Sequence, residues 1–364
     1  MSLGDRLAEL TTSLVDVASE SRDEEAIVSW IRERIAGVPH LRSADDEDTV
    51  LLYLPEPRHA DAPLVLLAGH VDTVPLGGAA RPGRRGGDAV IGRGAADMKG
   101  ALAVMLALAE DGSAAGDLEL GYLFFGREEL PIGASALLPL FDRCPEVRET
   151  ALALVMEPTA NAIEAGCTGN LNARITIRGR AAHSARPWLG ENAIHTAFGA
   201  LASLAHEPVR AVDIDGLTYR EVTSVTTIQG GIAANVVPDR VVAHVNVRYA
   251  PDRSPASAEA GLRELLSADD RVELEILGNA PPGPVARANP LVERLRATAD
   301  LPVGPKQAWT PVAEFGLAGI DAVNFGPGDP RYAHADDECV EVAALVRTHE
   351  ILTAFLAGAS EGER

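Results

Sequence analysis

The chain has 364 residues, of which 46% are apolar, enough for two globular domains that each bury a core. Fifty-three acidic against thirty-two basic side chains leave a formal charge of −21, a field that repels nucleic-acid phosphates and anionic membranes alike. The longest apolar run, residues 101–109, is far short of the roughly 18 residues a membrane span needs, so neither nucleic acid nor membrane is expected as a partner.

In chain order, residues 1–6 lead straight into an amphipathic, acid-containing helical pattern at 3–18, unlike a signal or transit peptide, and point to a cytoplasmic protein. A second helix is predicted over 23–36, with Ser21 and Asp23 as capping candidates and Ile27, Trp30, Ile31 and Ile35 on one face. Strand patterns follow at 50–54 and 64–68, the latter running into Gly69-His70-Val71-Asp72. Residues two apart in an extended segment share a face, so Asp72 can accept one imidazole N–H of His70 while the other nitrogen binds a metal. The stretch Gly92-Arg93-Gly94-Ala95-Ala96-Asp97-Met98-Lys99-Gly100 precedes a helix at 99–110. Its glycines fit neither GxGxxG nor the Walker pattern, which leaves Asp97 as a ligand or a helix cap. A strand at 118–125 leads to Glu128-Glu129, a helix follows at 134–141, and a strand at 152–156 runs into Glu157-Pro158. Strands alternating with helices predict a three-layer α/β domain with a largely parallel sheet, and chemistry in such sheets gathers at the carboxyl ends of strands. His70, Glu128 and Glu157 all sit at such ends.

After about residue 168 the pattern changes. Residues 171–177 and 241–249 alternate apolar and polar, 222–228 is rich in β-formers, and helical stretches at 193–205 and 256–266 are interleaved with them. These features predict a compact α+β module, residues 169–281, inserted between catalytic-domain segments 1–168 and 282–364, with the Pro/Gly-rich stretch 278–284 as return linker. A helix at 290–299, a short strand at 322–325 and a long helix at 340–356 restore the first domain's character. Three widely spaced cysteines, Cys144, Cys167 and Cys339, read as free reduced thiols.

Singly, each polar residue has a plainer role: a core histidine, a helix cap, a solvated strand end, a turn. Together His70, Asp97, Glu128, Glu129, Glu157 and His334, the last in a loop ending Asp336-Asp337-Glu338, form a set able to hold two divalent metals and a base. The blocks GHVDTVP (69–75), GRGAADMKG (92–100), the paired glutamates, Glu157-Pro158 and the late His334 to Glu338 segment occur in that order over nearly the whole chain. In this they resemble the co-catalytic dizinc amidohydrolases and peptidases that include acetylornithine deacetylase, aminoacylase, glutamate carboxypeptidase and succinyl-diaminopimelate desuccinylase.

The resemblance implies a zinc-peptidase-like catalytic domain with an inserted lid and dimerisation domain, acting as a homodimer on a small N-acyl amino acid. It implies two zinc ions, for which cobalt can substitute, with His70 and Glu157 on one, Glu129 and His334 on the other, and Asp97 between them. Glu128 becomes the general base, Asp72 the partner of His70, and the Asp97–Met98 peptide bond is expected to be cis. In the inserted module His183 matches the histidine that reaches across the dimer to the oxyanion. Arg186, Asn235 and Arg248, with Thr310 in the catalytic domain, match substrate-binding positions. Segments 166–171, 181–195, 216–221 and 324–334 most resemble desuccinylases of actinobacterial type, which act on N-succinyl-LL-2,6-diaminopimelate. Acetyl-ornithine, acetyl-lysine and small peptides stay open as substrates, because this chain has Pro311 after Thr310 and Gly126-Arg127 before the paired glutamates, where relatives usually carry acidic residues or Asn. A noncatalytic binding descendant would have lost a ligand type, and none is lost. A dinucleotide-dependent oxidoreductase lacks its fingerprint after the first strand.

Overall fold

Strands without exposed positions need cover on both faces, and in the catalytic domain Leu64–His70 and Glu119–Phe125 are buried throughout. The structure, a computed structural model, describes residues 1–59, 61–75, 82–112, 116–266 and 271–358. The chain forms two compact units, one of Met1–Gly166, Pro284–Gly304 and Thr310–Arg364, the other of Cys167–Gly283 and Pro305–Trp309.

The first unit carries an eight-stranded sheet in the order Leu41–Glu47, Val50–Pro55, Glu119–Phe125, Leu64–His70, Thr150–Val155, Ala322–Asn324, Ile163–Ala165 and Val303–Pro305. Its central strands, Glu119–Phe125 to Ala322–Asn324, run parallel. The flanks are antiparallel, which makes the sheet more mixed than the alternation of apolar runs predicts. The edge strand Leu41–Glu47 is polar and half exposed, held by its ladder to Val50–Pro55 rather than by an apolar face, so it has no periodicity to read.

Helix Leu3–Asp16 starts at Ser2, whose side chain accepts the Asp5 N–H, and buries the stripe Leu7, Leu10 and Leu14. Helix Gly100–Asp111 is apolar on every side and packs between the sheet and helices Leu3–Asp16 and Val342–Ala357. Its approach to the sheet needs a glycine, since a Cβ on Gly69 would lie 2.6 Å from Leu102 Cδ2. The helix predicted over 134–141 starts later, at Leu137–Arg143, after a single 3-10 turn at Ile132–Ala134, and the Ser135 hydroxyl between them accepts the Leu137 N–H.

Register brings the strand ends level. His70 pairs with Phe125 and Ala68 with Val155, so Glu157, two residues past Val155, comes abreast of His70. The segments carrying His70, Glu128-Glu129 and Glu157 leave the sheet at that common edge, whereas Asp97 follows strand Ala89–Ile91 of a separate three-stranded sheet.

In the second unit a five-stranded antiparallel sheet has the order Arg210–Ile214, Leu217–Gly230, Arg240–Tyr249, Gly169–Arg178 and Val272–Ala280. Leu171, Ala173, Ile175, Val241, Ala243 and Val245 face helices Ala193–Ala205 and Pro255–Leu266 as one core. The stretch read as a linker from residue 278 is ordered strand to Ala280, where a bulge between Ile276 and Gly278 keeps the ladder to Asn170–Asn172 in step. Among the described residues no helix is long and apolar enough to cross a membrane, and none of the three cysteines forms a disulfide.

Candidate metal centre

Six side chains meet at the carboxyl edge of the first unit's sheet. His70 ends its strand and is 1% exposed; Asp97 and Glu157 are also buried; Glu128 and Glu129 are half-buried; His334 is exposed. Asp97 faces two imidazoles, with Oδ1 3.0 Å from His70 Nε2 and Oδ2 3.3 Å from His334 Nε2. His334 Nε2 lies 2.9 Å from Glu129 Oε1, and His70 Nε2 lies 3.9 Å from Glu157 Oε1. Donor atoms of His70, Asp97 and Glu157 therefore fit around one ion and those of Asp97, Glu129 and His334 around another, with Asp97 common to both. A third grouping, His70 with Glu128 and Glu129, is as compact, so distance alone does not separate base from ligand. The Asp97–Met98 peptide is cis.

The electrostatics ask for cations. Burial first, and then the facing Glu157 carboxylate, push the Glu128 carboxyl well above its usual range; His70 pulls it down, and Glu129 and Asp97 add smaller upward pushes. Hydrogen bonds to Asp97 and Glu129 raise His334 to about 10. Burial disfavours charge on His70, but bonds to Asp72 and Asp97 outweigh it and hold the imidazole well above its usual value. Four carboxylates crowded round two imidazoles favour positive charge between them, which divalent ions on the same nitrogen and oxygen donors would supply. The donor set fits a metal cofactor.

Asp72 does more than the spacing predicts. The nearest partner of His70 Nδ1 is the Asp72 carbonyl oxygen at 2.9 Å, with the carboxylate at 3.6 Å. The carboxylate instead accepts the N–H of Glu128 at 3.1 Å, the N–H of Glu129 at 3.2 Å and the hydroxyl of Ser21 at 2.7 Å. It aims the two glutamates by their backbone, and Ser21 belongs to the network rather than to the cap of the second helix.

In the second unit His183 and Val236 form an isolated bridge, and the Asn235 carbonyl accepts the Ser184 N–H, so His183 and Asn235 are carried by paired loops. His183 Nδ1 accepts the Ala185 N–H at 3.0 Å, which puts the proton of the neutral ring on the exposed Nε2. Arg186 is exposed beside it. Arg248 is half-buried, donates to Asn246 Oδ1 at 3.1 Å, and has no carboxylate within ion-pair reach among the described residues. On the same sheet Arg174 and Arg178 are matched to Glu275 and Glu273. Thr310, in the first unit, is buried before helix Val312–Leu317, in which burial pushes Glu314 up to about 7.

The Gly126-Arg127 departure has a steric basis. A Cβ on Gly126 would lie 2.9 Å from Thr49 Cβ and 3.1 Å from Glu24 Oε1, so buried Glu24 occupies the space a side chain there would need. Arg127 turns outward to Asp48 at 2.6 Å.

Residues 66–358 match the model of peptidase family M20/M25/M40. A Mycobacterium tuberculosis protein provisionally named succinyl-diaminopimelate desuccinylase DapE is 39% identical over 354 residues, covering 96% of this chain and 98% of that one. The succinyl-diaminopimelate desuccinylase of Corynebacterium glutamicum is 36% identical over 365 residues, covering 97% and 96%. Among solved structures, the M20 family metallo-carboxypeptidase Sso-CP2 of Sulfolobus solfataricus superposes with a TM-score of 0.77 at 18% identity, over 98% of this chain and 99% of that one.

Proposed function

The chain belongs to peptidase family M20/M25/M40, and from that premise we propose a dizinc amide hydrolase that cleaves N-succinyl-LL-2,6-diaminopimelate to succinate and LL-2,6-diaminopimelate, a cytoplasmic homodimer serving lysine and diaminopimelate synthesis. The observation that carries the reading is Asp97, a single carboxylate turned to His70 with one oxygen and to His334 with the other. His70 and Glu157 would hold one zinc and Glu129 and His334 the second, with Asp97 available to both, and cobalt would substitute. When bound, the pair supplies Lewis acidity, polarising the amide carbonyl and making water acidic enough to attack at neutral pH.

The chain's own groups do the rest. Glu128 takes the water's proton and later gives it to the departing nitrogen, so the new C–O bond forms, the C–N bond breaks and the amine leaves neutral. Asp72 fixes Glu128 through the glutamate's backbone amide. His183, with Nε2–H free to donate, stabilises the oxyanion in the partner subunit's site. The dimer reading draws support from apolar side chains of the second unit left in solvent, Trp188, Phe198 and Ile232 being 73%, 63% and 86% exposed. His183→Ala is expected to cost roughly 10²- to 10³-fold in turnover with metal content unchanged. Mixing that variant with Glu128→Gln protein should regenerate activity, because one site of each heterodimer has both groups. No recovery after verified subunit exchange would remove the shared site.

Arg248 supports a substrate with a free carboxylate, since a half-buried guanidinium without a carboxylate of its own is a ready bidentate partner for one. The names of the relatives at 36% and 39% identity supply the succinyl group. Succinyl-diaminopimelate should therefore be hydrolysed about tenfold or more faster than its acetyl counterpart, and Arg248→Lys should raise KM about tenfold by losing the planar fork. Equal or better rates on acetyl-ornithine, acetyl-lysine or a dipeptide in an amine-release assay would overturn the substrate and leave the hydrolase.

A further inference from the structure

Glu338 lies in none of the three ligand groupings, yet it is 2% exposed and ties two of their segments together. Its Oε1 accepts the N–H of Ala96 at 3.2 Å and of Asp97 at 3.0 Å. Its Oε2 takes Arg93 Nη1 at 2.8 Å, and the same Nη1 reaches the carbonyl of Ala335 at 3.3 Å, one residue past His334. The backbone repeats the join, since the Gly92 N–H donates to the Glu338 carbonyl and strand Cys339–Glu341 pairs with Ala89–Ile91. Asp97 follows strand Ala89–Ile91 and His334 precedes strand Cys339–Glu341, so both loops lie at the same end of one short antiparallel ladder, where a single buried carboxylate spans them. A buried carboxylate with an arginine on one oxygen and two amides on the other is a rigid, charge-assisted bracket.

We propose that Glu338 is the positioning residue of the metal centre, holding the Asp97 peptide and the His334 loop at the separation at which one carboxylate serves both ions. The inference rests on the metal reading above. Because Asp97 belongs to both ion groupings, loosening it weakens both ions, whereas Glu129→Ala touches one.

The test is titration of metal-free protein with Zn2+ against a chromophoric chelator, with cobalt absorption spectra and the metal-free melting temperature recorded alongside. Glu338→Leu, which offers no acceptor to the two amides, should lower zinc affinity at both sites at least tenfold and alter the cobalt spectrum. Glu338→Gln keeps one carbonyl for the amides but sets an NH2 against Arg93, and should lose less than Glu338→Leu but still about tenfold. A purely structural role would lower the metal-free melting temperature and leave the zinc affinity and cobalt spectrum of folded protein as in the wild type; that result overturns the proposal. If Glu338→Leu does not fold, Glu338→Gln decides on the same criterion. Wild-type protein that takes up no zinc would instead sink the metal reading itself.

Discussion

Glu128→Gln is expected to retain both zinc ions and to lose about 10³- to 10⁴-fold in turnover, near the upper scale for removing a general acid–base group. The substitution keeps shape and the backbone bond to Asp72 while removing the oxygen that takes and returns the proton. Glu129→Ala should behave differently, since its carboxylate meets His334 at 2.9 Å and its loss strips one ion site. The comparison is informative because the three-way grouping of His70, Glu128 and Glu129 makes either glutamate a ligand by distance. Metal content and steady-state rates measured on both variants settle the roles. If both keep two zinc ions, or both lose one, the division between base and ligand falls.

Chelation should abolish hydrolysis of every substrate, and zinc or cobalt should restore it. Stability should follow, since an ion that binds only the folded chain adds RT ln(1 + [L]/Kd), about 4 kcal/mol at a thousandfold excess over Kd. For a domain of this size that corresponds to a melting temperature lower by on the order of 5–10 °C in the metal-free protein. Scanning calorimetry with and without chelator reads the shift, and metal-independent turnover would defeat the mechanism.

Four of the six side chains that meet at the site close an apolar run: His70 after residues 64–68, Glu157 after 152–156, the paired glutamates after 118–125. Burial of parallel strands writes itself into composition, and their carboxyl ends follow by topology. What could not be read is work done through the main chain. Asp72 holds two glutamates by their amides, and Glu338 holds Asp97 by its own, so neither bond depends on the identity of the residue held. Short strands such as Ile163–Ala165 and Val303–Pro305 left no pattern either, being three residues each. The end of Val272–Ala280 was masked by Gly278 and Asn279, turn formers that a bulge accommodates within a ladder. Gly126 looked like a missing acid, and only the packing of Thr49 and Glu24 explains it.

The second unit's main segment, Cys167–Gly283, interrupts the first between Glu157 and His334, and this gives the site an order in time. A ribosome delivers four carboxylates and one imidazole well over a hundred residues before the second imidazole and the bracket at Glu338. On the proposed ligand assignment, a nascent or truncated chain would offer the carboxylates with a single nitrogen donor and without the second partner of Asp97. A chain that stalls or is clipped before His334 therefore carries five of the six clustered side chains and, on the same assignment, would lack the second imidazole that completes the centre.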